Sequence, residues 1–217
     1  LWRIDLRSSA PDAPAFDALL TQLAGEEQAR CLRRVTPALR YRFAAAHAAL
    51  QSILSAETGE LRIALKRDAQ GKPYLPGHNG SFNMAHSGDM AVIALCEAGP
   101  VGVDIEEIRP LPELSRMAAL ACSAREAARL AQSADETART HEFLRYWTRK
   151  EAVLKATGEG LRGQLRAVET ANAPWAILEG EEPRKFYIET WEEPGFVGAV
   201  ACANRISALN MQHFDWD

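Results

Sequence analysis

Gly102-Val103-Asp104-Ile105-Glu106 and, further along, Trp147-Thr148-Arg149-Lys150-Glu151-Ala152-Val153-Leu154-Lys155-Ala156-Thr157-Gly158-Glu159-Gly160-Leu161 are the two stretches that decide how this chain is read. Val101-Gly102-Val103 and the preceding Met90-Ala91-Val92-Ile93-Ala94-Leu95 are apolar and partly β-branched, so both read as strands. Residues two apart in a strand share a face, which points Asp104 and Glu106 the same way. No helix breaker interrupts Arg145 to Thr157, so this stretch reads as a helix. At about 100° per residue, Trp147, Lys150, Glu151, Leu154 and Lys155 fall on one arc, with Ala152, Val153 and Ala156 opposite. Charges that share an arc with bulky apolar side chains suit a walled cleft. The plainer alternative is strand-end acids in water and an ordinary i,i+4 pair of Glu151 with Lys155, worth a few tenths of a kcal/mol.

Three carboxylates without a soft ligand set point to a hard ion. Mg²⁺ takes octahedral oxygen ligands, keeps several waters and commonly uses one or two protein carboxylates together with substrate phosphate oxygens. Asp104, Glu106 and Glu151 could supply such a partial shell. Cys31, Cys96, Cys122 and Cys202 are scattered without C-x-x-C spacing, which argues against structural zinc and against a disulfide framework. Reduced thiols in a cytoplasm are the simpler reading.

With these residues in place, the chain resembles the 4'-phosphopantetheinyl transferases, in particular the single-chain pseudo-dimeric type that activates nonribosomal peptide and polyketide synthases. The G-x-D-x-E strand and the W-x-x-K-E-x-x-x-K helix running into G-x-G-L are both complete. The likeness extends upstream through Gly71-Lys72-Pro73-Tyr74-Leu75 and Phe82-Asn83-Met84-Ala85-His86-Ser87-Gly88. What the resemblance implies is transfer of the phosphopantetheine arm of coenzyme A to a serine of an acyl or peptidyl carrier protein, with release of 3',5'-ADP. It implies that Asp104, Glu106 and Glu151 hold Mg²⁺ and that Glu151 is the base, directly or through a water. Lys155 would grip a pyrophosphate oxygen, with Lys150 reinforcing the same field. It further implies that Lys72 and His86 touch coenzyme A phosphates, with Arg42, Arg30 and Arg33 near the 3'-phosphate end.

Two positions depart from the family pattern or sit loosely in it. Ala85 stands where many relatives carry serine before the motif histidine, which removes a hydroxyl. A further family acid corresponds to Glu126 in Cys122-Ser123-Ala124-Arg125-Glu126, as a support for the metal or as an early helical residue after a Ser123 N-cap.

Composition and pattern bound the rest. The 217 residues are 47% hydrophobic, ample for a core, and the formal net charge of −4 argues against general nucleic-acid affinity. No apolar run is long enough to cross a bilayer, and Leu1-Trp2-Arg3-Ile4-Asp5-Leu6 alternates like a strand; the absence of an initial methionine reads as a trimmed or incomplete start. A cytoplasmic monomer is expected. Gly158-Glu159-Gly160-Leu161-Arg162-Gly163 has the G-x-G-x-x-G form but follows a helix, so it reads as a helix stop and turn, not a dinucleotide site. Asn79-Gly80-Ser81 reads as a turn before a strand. Helical character is expected up to about Thr58 and from Ser115 to Thr157, with turns over Asp68 to Gly80, a break at Arg109-Pro110-Leu111-Pro112 and strands from Lys185 to Gln212. Phe196-Val197-Gly198-Ala199-Val200-Ala201-Cys202 echoes Met90-Ala91-Val92-Ile93-Ala94-Leu95-Cys96 as a duplicated unit would. The expected fold is α+β, with two similar lobes in a pseudo-twofold arrangement, each a small antiparallel sheet packed with helices, over 1–100 and 101–217. Coenzyme A would lie in the crevice between them. Competing functions are a metal-dependent phosphodiester hydrolase and a non-catalytic coenzyme A-binding module.

Overall fold

The structure, a computed structural model, describes residues 1–7, 13–158 and 165–216. The first run of elements is β1 (Trp2–Asp5), α1 (Ala13–Gln22), α2 (Gly25–Leu32), α3 (Pro37–Thr58), β2 (Lys66–Arg67), β3 (Pro73–Tyr74), β4 (Ser81–Ser87) and β5 (Met90–Cys96). The second is β6 (Val101–Glu107), α4 (Leu114–Ala121), α5 (Ala124–Leu130), α6 (Glu136–Thr157), β7 (Val168–Glu169), β8 (Trp175–Leu178), β9 (Arg184–Glu193) and β10 (Phe196–Cys202), followed by β11 (Gln212–His213). A strand, two short helices, a long helix, two short strands and a hairpin therefore occur twice. Both long helices have 22 residues, start at a side-chain cap (Thr36 and Asp135) and stop at a left-handed glycine, Gly59 at φ 74° and Gly158 at φ 81°. The rest of the glycine turn expected after Gly158 lies outside the described residues. The expected continuous helical stretch from Ser115 is divided at Ser123 and Asp135, because each side chain caps a new helix start.

The two sheets repeat the same pairing. In the first, ordered β11-β1-β5-β4, β5 lies antiparallel between β1 and β4; in the second, ordered β6-β10-β9-β8-β7, β10 lies antiparallel between β6 and β9. The echoing sequences of β5 and β10 thus occupy equivalent central strands, and the fold is α+β with two similar lobes. Small alanines of α3 (Ala44, Ala45, Ala48, Ala49) pack with Ile4, Phe82, Ala91 and Ile93, while Ala152, Val153 and Ala156 of α6 pack with Phe186, Ile188, Ala199 and Ala201. The opposite sheet faces share one further core of Val92, Ala94, Val101, Val103, Ile105 and Val200. Each valine or isoleucine of this set contributes roughly 1.5–3 kcal/mol by leaving water, so the lobes stabilise each other. The chain also crosses back: β11 pairs parallel with β1, and the N-terminal ammonium donates to the Asn210 carbonyl at 2.8 Å. The tail therefore does not stay with residues 101–217 but completes the first sheet.

Where the sheets meet, β4 and β6 run side by side in the same direction. Asn83 Oδ1 accepts from Val103 N at 2.9 Å, and Ser87 Oγ accepts from Glu107 N at 3.1 Å. Side chains thus join two strands that belong to separate sheets. On its other face β6 carries α6 at very short range: a Cβ on Gly102 would lie 2.0 Å from the Ala152 carbonyl oxygen and 2.4 Å from Ala156 N. Gly102→Ala is expected to cost at least the upper end of the ~1–3 kcal/mol range for overpacking, because backbone atoms cannot rotate away. A urea unfolding midpoint unchanged in that variant would contradict this packing.

Candidate active site

Asp104 and Glu106 follow Gly102 at strand spacing, so all three share the face covered by α6. From the helix, Glu151 and Lys155 lie one turn apart and face the same ground. Lys155 Nζ donates to Asp104 Oδ1 at 2.6 Å. Asp104 and Glu151 are buried, Glu106 is half-buried, and Ser87 Oγ donates to Glu106 Oε2 at 2.9 Å across the seam. Asp104 Oδ2 and Glu151 Oε1 are buried without any hydrogen bond.

Electrostatics follow from this crowding. Burial pushes the Asp104 carboxyl up to about 7 against the pull of Lys155, with Glu106 and Glu151 adding repulsion. Burial also raises Glu151, helped by Glu106 and opposed by Lys155. One ammonium faces three carboxylates, and two buried oxygens lack partners. Hard oxygen donors left in that condition are suited to a divalent cation such as Mg²⁺. Among the described residues, the side chains as they stand do not gather three acids into one closed ligand cluster. Lys155 holds one oxygen of Asp104, and Ser87 one of Glu106.

Across the seam, His86 projects from the β4 face that carries Phe82 and Met84 toward α3. It keeps solvent access, yet desolvation of the ring and then the charges of Arg34, Lys155, His47 and Arg42 hold its pKa below the usual histidine value. Arg42 is half-buried and ion-paired with Asp89 in the β4–β5 turn. Arg30 and Arg34 sit over the Phe43 ring at 5.6 and 5.1 Å, and Arg30 Nη1 is buried without a partner. Burial and the nearby Arg67 lower the Arg30 pKa. Arg33 is exposed at the α2 C-cap. A cationic bank thus adjoins the acidic one.

Three of the residues considered have their polar partners away from the acids, and for Glu126 the structure selects the helix-start reading. Lys150 does not join Glu151 and Lys155: it is fully buried, pairs with Glu126 at 2.8 Å and donates to the carbonyls of Leu165 and Val168. The arc drawn from the sequence is too wide, since Lys150 stands about 100° around the helix from Glu151. Glu126 is correspondingly structural. It closes a capping box with Ser123 and accepts from Thr170 N and Oγ1 at 3.0 and 2.7 Å. Lys72 Nζ donates to the carbonyls of Val101 and Ala156 at 3.1 and 3.0 Å, so it pins the end of α6 to the start of β6. Its pKa is lowered by that burial.

Sequence reasoning also missed contributors. Ser87, Asn83, Arg34 and the buried pair of Glu27 with His47, at 2.9 Å, all border the seam or its cationic bank. Burial pushes Glu27 up, but the hydrogen bond and charge of His47 outweigh it and leave the carboxyl below its ordinary value. Ser87 was visible next to His86; its role depends on a strand twenty residues away in the chain, between positions 87 and 107.

A profile of the 4'-phosphopantetheinyl transferase superfamily, ACPS, matches residues 100–202. The chain is 33% identical over 222 residues to 4'-phosphopantetheinyl transferase HetI of Nostoc sp., covering 100% of this chain and 88% of that protein. It is 31% identical over 145 residues to the L-aminoadipate-semialdehyde dehydrogenase-phosphopantetheinyl transferase of Xenopus laevis, covering 61% of this chain and 48% of the relative. Among solved structures it is similar to Thermotoga maritima holo-[acyl-carrier-protein] synthase, AcpS, with 22% identity and a TM-score of 0.35, over 47% of this chain and 61% of that one. The chain belongs to the 4'-phosphopantetheinyl transferase superfamily, whose reaction moves phosphopantetheine from coenzyme A to a carrier protein. Neither the hydrolase nor the binding-module reading finds support.

Two outcomes follow from the charges. Lys150→Met strands the Glu126 carboxylate in a dry interior and should destabilise the protein by about 3–5 kcal/mol; the double change with Glu126→Leu should recover much of that. A Lys150→Met protein as stable as the parent in urea would refute the pairing. For Asp104 the sign is that of a raised acid: the folded state keeps its proton up to about pH 7 while the unfolded chain releases it near 3.8. In chelator this group therefore costs stability progressively as pH rises from about 4 to about 7. Relative to the parent, Asp104→Asn should gain stability between pH 5 and pH 8, by up to a few kcal/mol. Identical pH profiles would remove the argument.

Proposed function

We propose that the seam between β4 and the β6–α6 pair binds coenzyme A and passes its phosphopantetheine arm to a carrier serine with the help of Mg²⁺. The observation that carries this reading is the pairing of banks. Asp104, Glu106, Glu151 and Lys155 lie on one side, and His86, Arg42, Arg34 and Arg30 on the other. A dianionic pyrophosphate and a terminal phosphate are ligands that such neighbouring banks can hold at once.

In this reading Asp104, Glu106 and Glu151 hold Mg²⁺, which when bound supplies charge neutralisation on the pyrophosphate oxygens. The serine oxygen forms a bond to the phosphorus bearing the pantetheine arm as the bond to the 3',5'-ADP oxygen breaks. The serine proton passes to the Glu151 carboxylate, directly or through a water. Its carboxyl, raised by burial, and its partnerless Oε1 suit a base. Lys155 leaves or shares Asp104 to meet the pyrophosphate, as a compact charge on a flexible stem can. His86, Arg42, Arg30 and Arg34 take the 3'-phosphate end, with Arg33 at the rim. Lys72 contributes by fixing α6, and Lys150 by fixing its far side.

The acceptor is an acyl or peptidyl carrier protein of fatty-acid, polyketide or nonribosomal peptide synthesis. The reading places the enzyme in the cytoplasm as a monomer that engages neither nucleic acid nor membrane. Both banks come from one chain, the net charge is −4, and among the described residues no helix is long and apolar enough to cross a membrane.

The test is to incubate the protein with coenzyme A, Mg²⁺ and a panel of apo carrier proteins and to read intact carrier masses with and without chelator. A gain of one phosphopantetheine arm that chelator prevents is expected; a gain indifferent to chelator would remove Mg²⁺ from the reading. Glu151→Gln should lower turnover by about 10²–10⁴-fold, the usual worth of a general base, while coenzyme A affinity stays within a few-fold. Undiminished turnover would remove Glu151 from the mechanism.

A further inference from the structure

The echo between β5 and β10 extends to their last residues, Cys96 and Cys202, which the transfer reaction does not use. On β5, Val92, Ala94 and Cys96 share a face; on β10, Val200 and Cys202 do. Both faces look into the core shared by the two lobes, so the repeat brings one cysteine from each lobe to the same place. There both side chains join one packed cluster. The other thiols lie elsewhere: Cys31 is in the first-lobe core, where its Sγ donates to the Arg40 carbonyl at 3.3 Å, and Cys122 is among α4, α5 and α6. A cavity of about 410 Å³ opens onto the pair and is lined also by Leu1, Trp2, Asn204 and Leu209. Cys96 is the less buried of the two and offers the first point of attack.

We propose that Cys96 and Cys202 form a dithiol site for small-molecule disulfides, at which exchange closes a covalent bridge between the lobes. The Cys96 thiolate attacks one sulfur of the reagent disulfide, forming a mixed disulfide and expelling one reagent thiolate. Cys202 then gives its proton to solvent, and its sulfur attacks Cys96 Sγ, expelling the second thiolate. Two electrons and two protons leave the protein, and the reagent disulfide is reduced to two thiols. A disulfide needs its sulfurs at about 2.05 Å, and the two thiols line one cavity. The pair sits at the far end of the strands from the acids. Cys202 is in register with Val101, and the three residues from there to Asp104, the nearest acid, span about 10 Å at strand rise. Closure therefore staples the lobes without touching the acidic bank.

The experiment treats the folded, reduced protein with oxidised glutathione and reads intact mass and a non-reduced peptide map. Loss of two hydrogens, a Cys96–Cys202 peptide and a rise of several degrees in thermal midpoint are expected. The Cys31→Ser, Cys122→Ser double variant should still close, while Cys96→Ser and Cys202→Ser should not. Glutathione adducts that persist without closure, a bridge involving Cys31 or Cys122, or a folded protein left fully reduced while its urea-unfolded form oxidises would each overturn the proposal.

Discussion

Helix α6 rests on strand β6 with no side chain between them at residue 102, and the whole acid cluster is laid out from that contact. Beyond it the strand presents every second residue to the helix, which yields Asp104 and then Glu106. The helix presents residues a turn apart, so Ala152 and Ala156 seat on the glycine while Glu151 and Lys155 meet the acids. Two different periods interlock over a few residues. Neither element can slide without driving a helix backbone atom into the strand. Lys72 bonds the helix end to the strand start, and Lys150 ties the opposite flank to Glu126.

Two lysines and several acids of α6 and its neighbours therefore have opposite fates, and hydrogen bonding separates them. Glu126 is fully enclosed, but Lys150, Ser123 and Thr170 saturate its oxygens. Such a satisfied buried pair holds structure and invites no ligand. Asp104 and Glu151 are nearly as deeply placed, yet each keeps an oxygen with no donor, and both are pushed toward protonation. A fold gains nothing in stability from that arrangement. It is the donor chemistry on which the proposed Mg²⁺ site rests.

The acids were legible because strand and helix periods are local properties. Asp104, Glu106, Glu151 and Lys155 follow from spacing alone once strand and helix are recognised. Lys150 was misplaced for the same reason: a helical wheel drawn without neighbours cannot say where a wide arc divides, and here α5 and the strand after α6 claim one edge of it. Lys72 in its turn sequence gave no sign that its ammonium would reach two carbonyls remote in the chain. The roles of Ser87 and Asn83 are tertiary throughout, since they exist only because β4 and β6 lie side by side.

The duplication explains why, among the described residues, the acid cluster occurs in the second lobe and not in the first. Aligning β5 on β10 by their common length sets β1 opposite β6, so that Trp2 and Ile4 stand where Asp104 and Glu106 stand in the second lobe. Aligning the two 22-residue helices sets Ser52 and Ala56 where α6 has Glu151 and Lys155. The first lobe has thus an uncharged counterpart of the acid cluster, and Ile4 is fully buried there. The carboxylate at the third position of the short helix is kept in both halves: Glu27 pairs with His47 of α3, and Glu126 with Lys150 of α6. His47 and the counterpart of Lys150, Gln51, lie one turn apart on the same helix face. Each lobe therefore has the buried pairing that docks its short helix on its long one, while only the second carries the acids that face the seam. The first lobe sets His86, Ser87 and the arginines on the other side, an asymmetry that suits the ligand proposed above, with its two distinct phosphate ends.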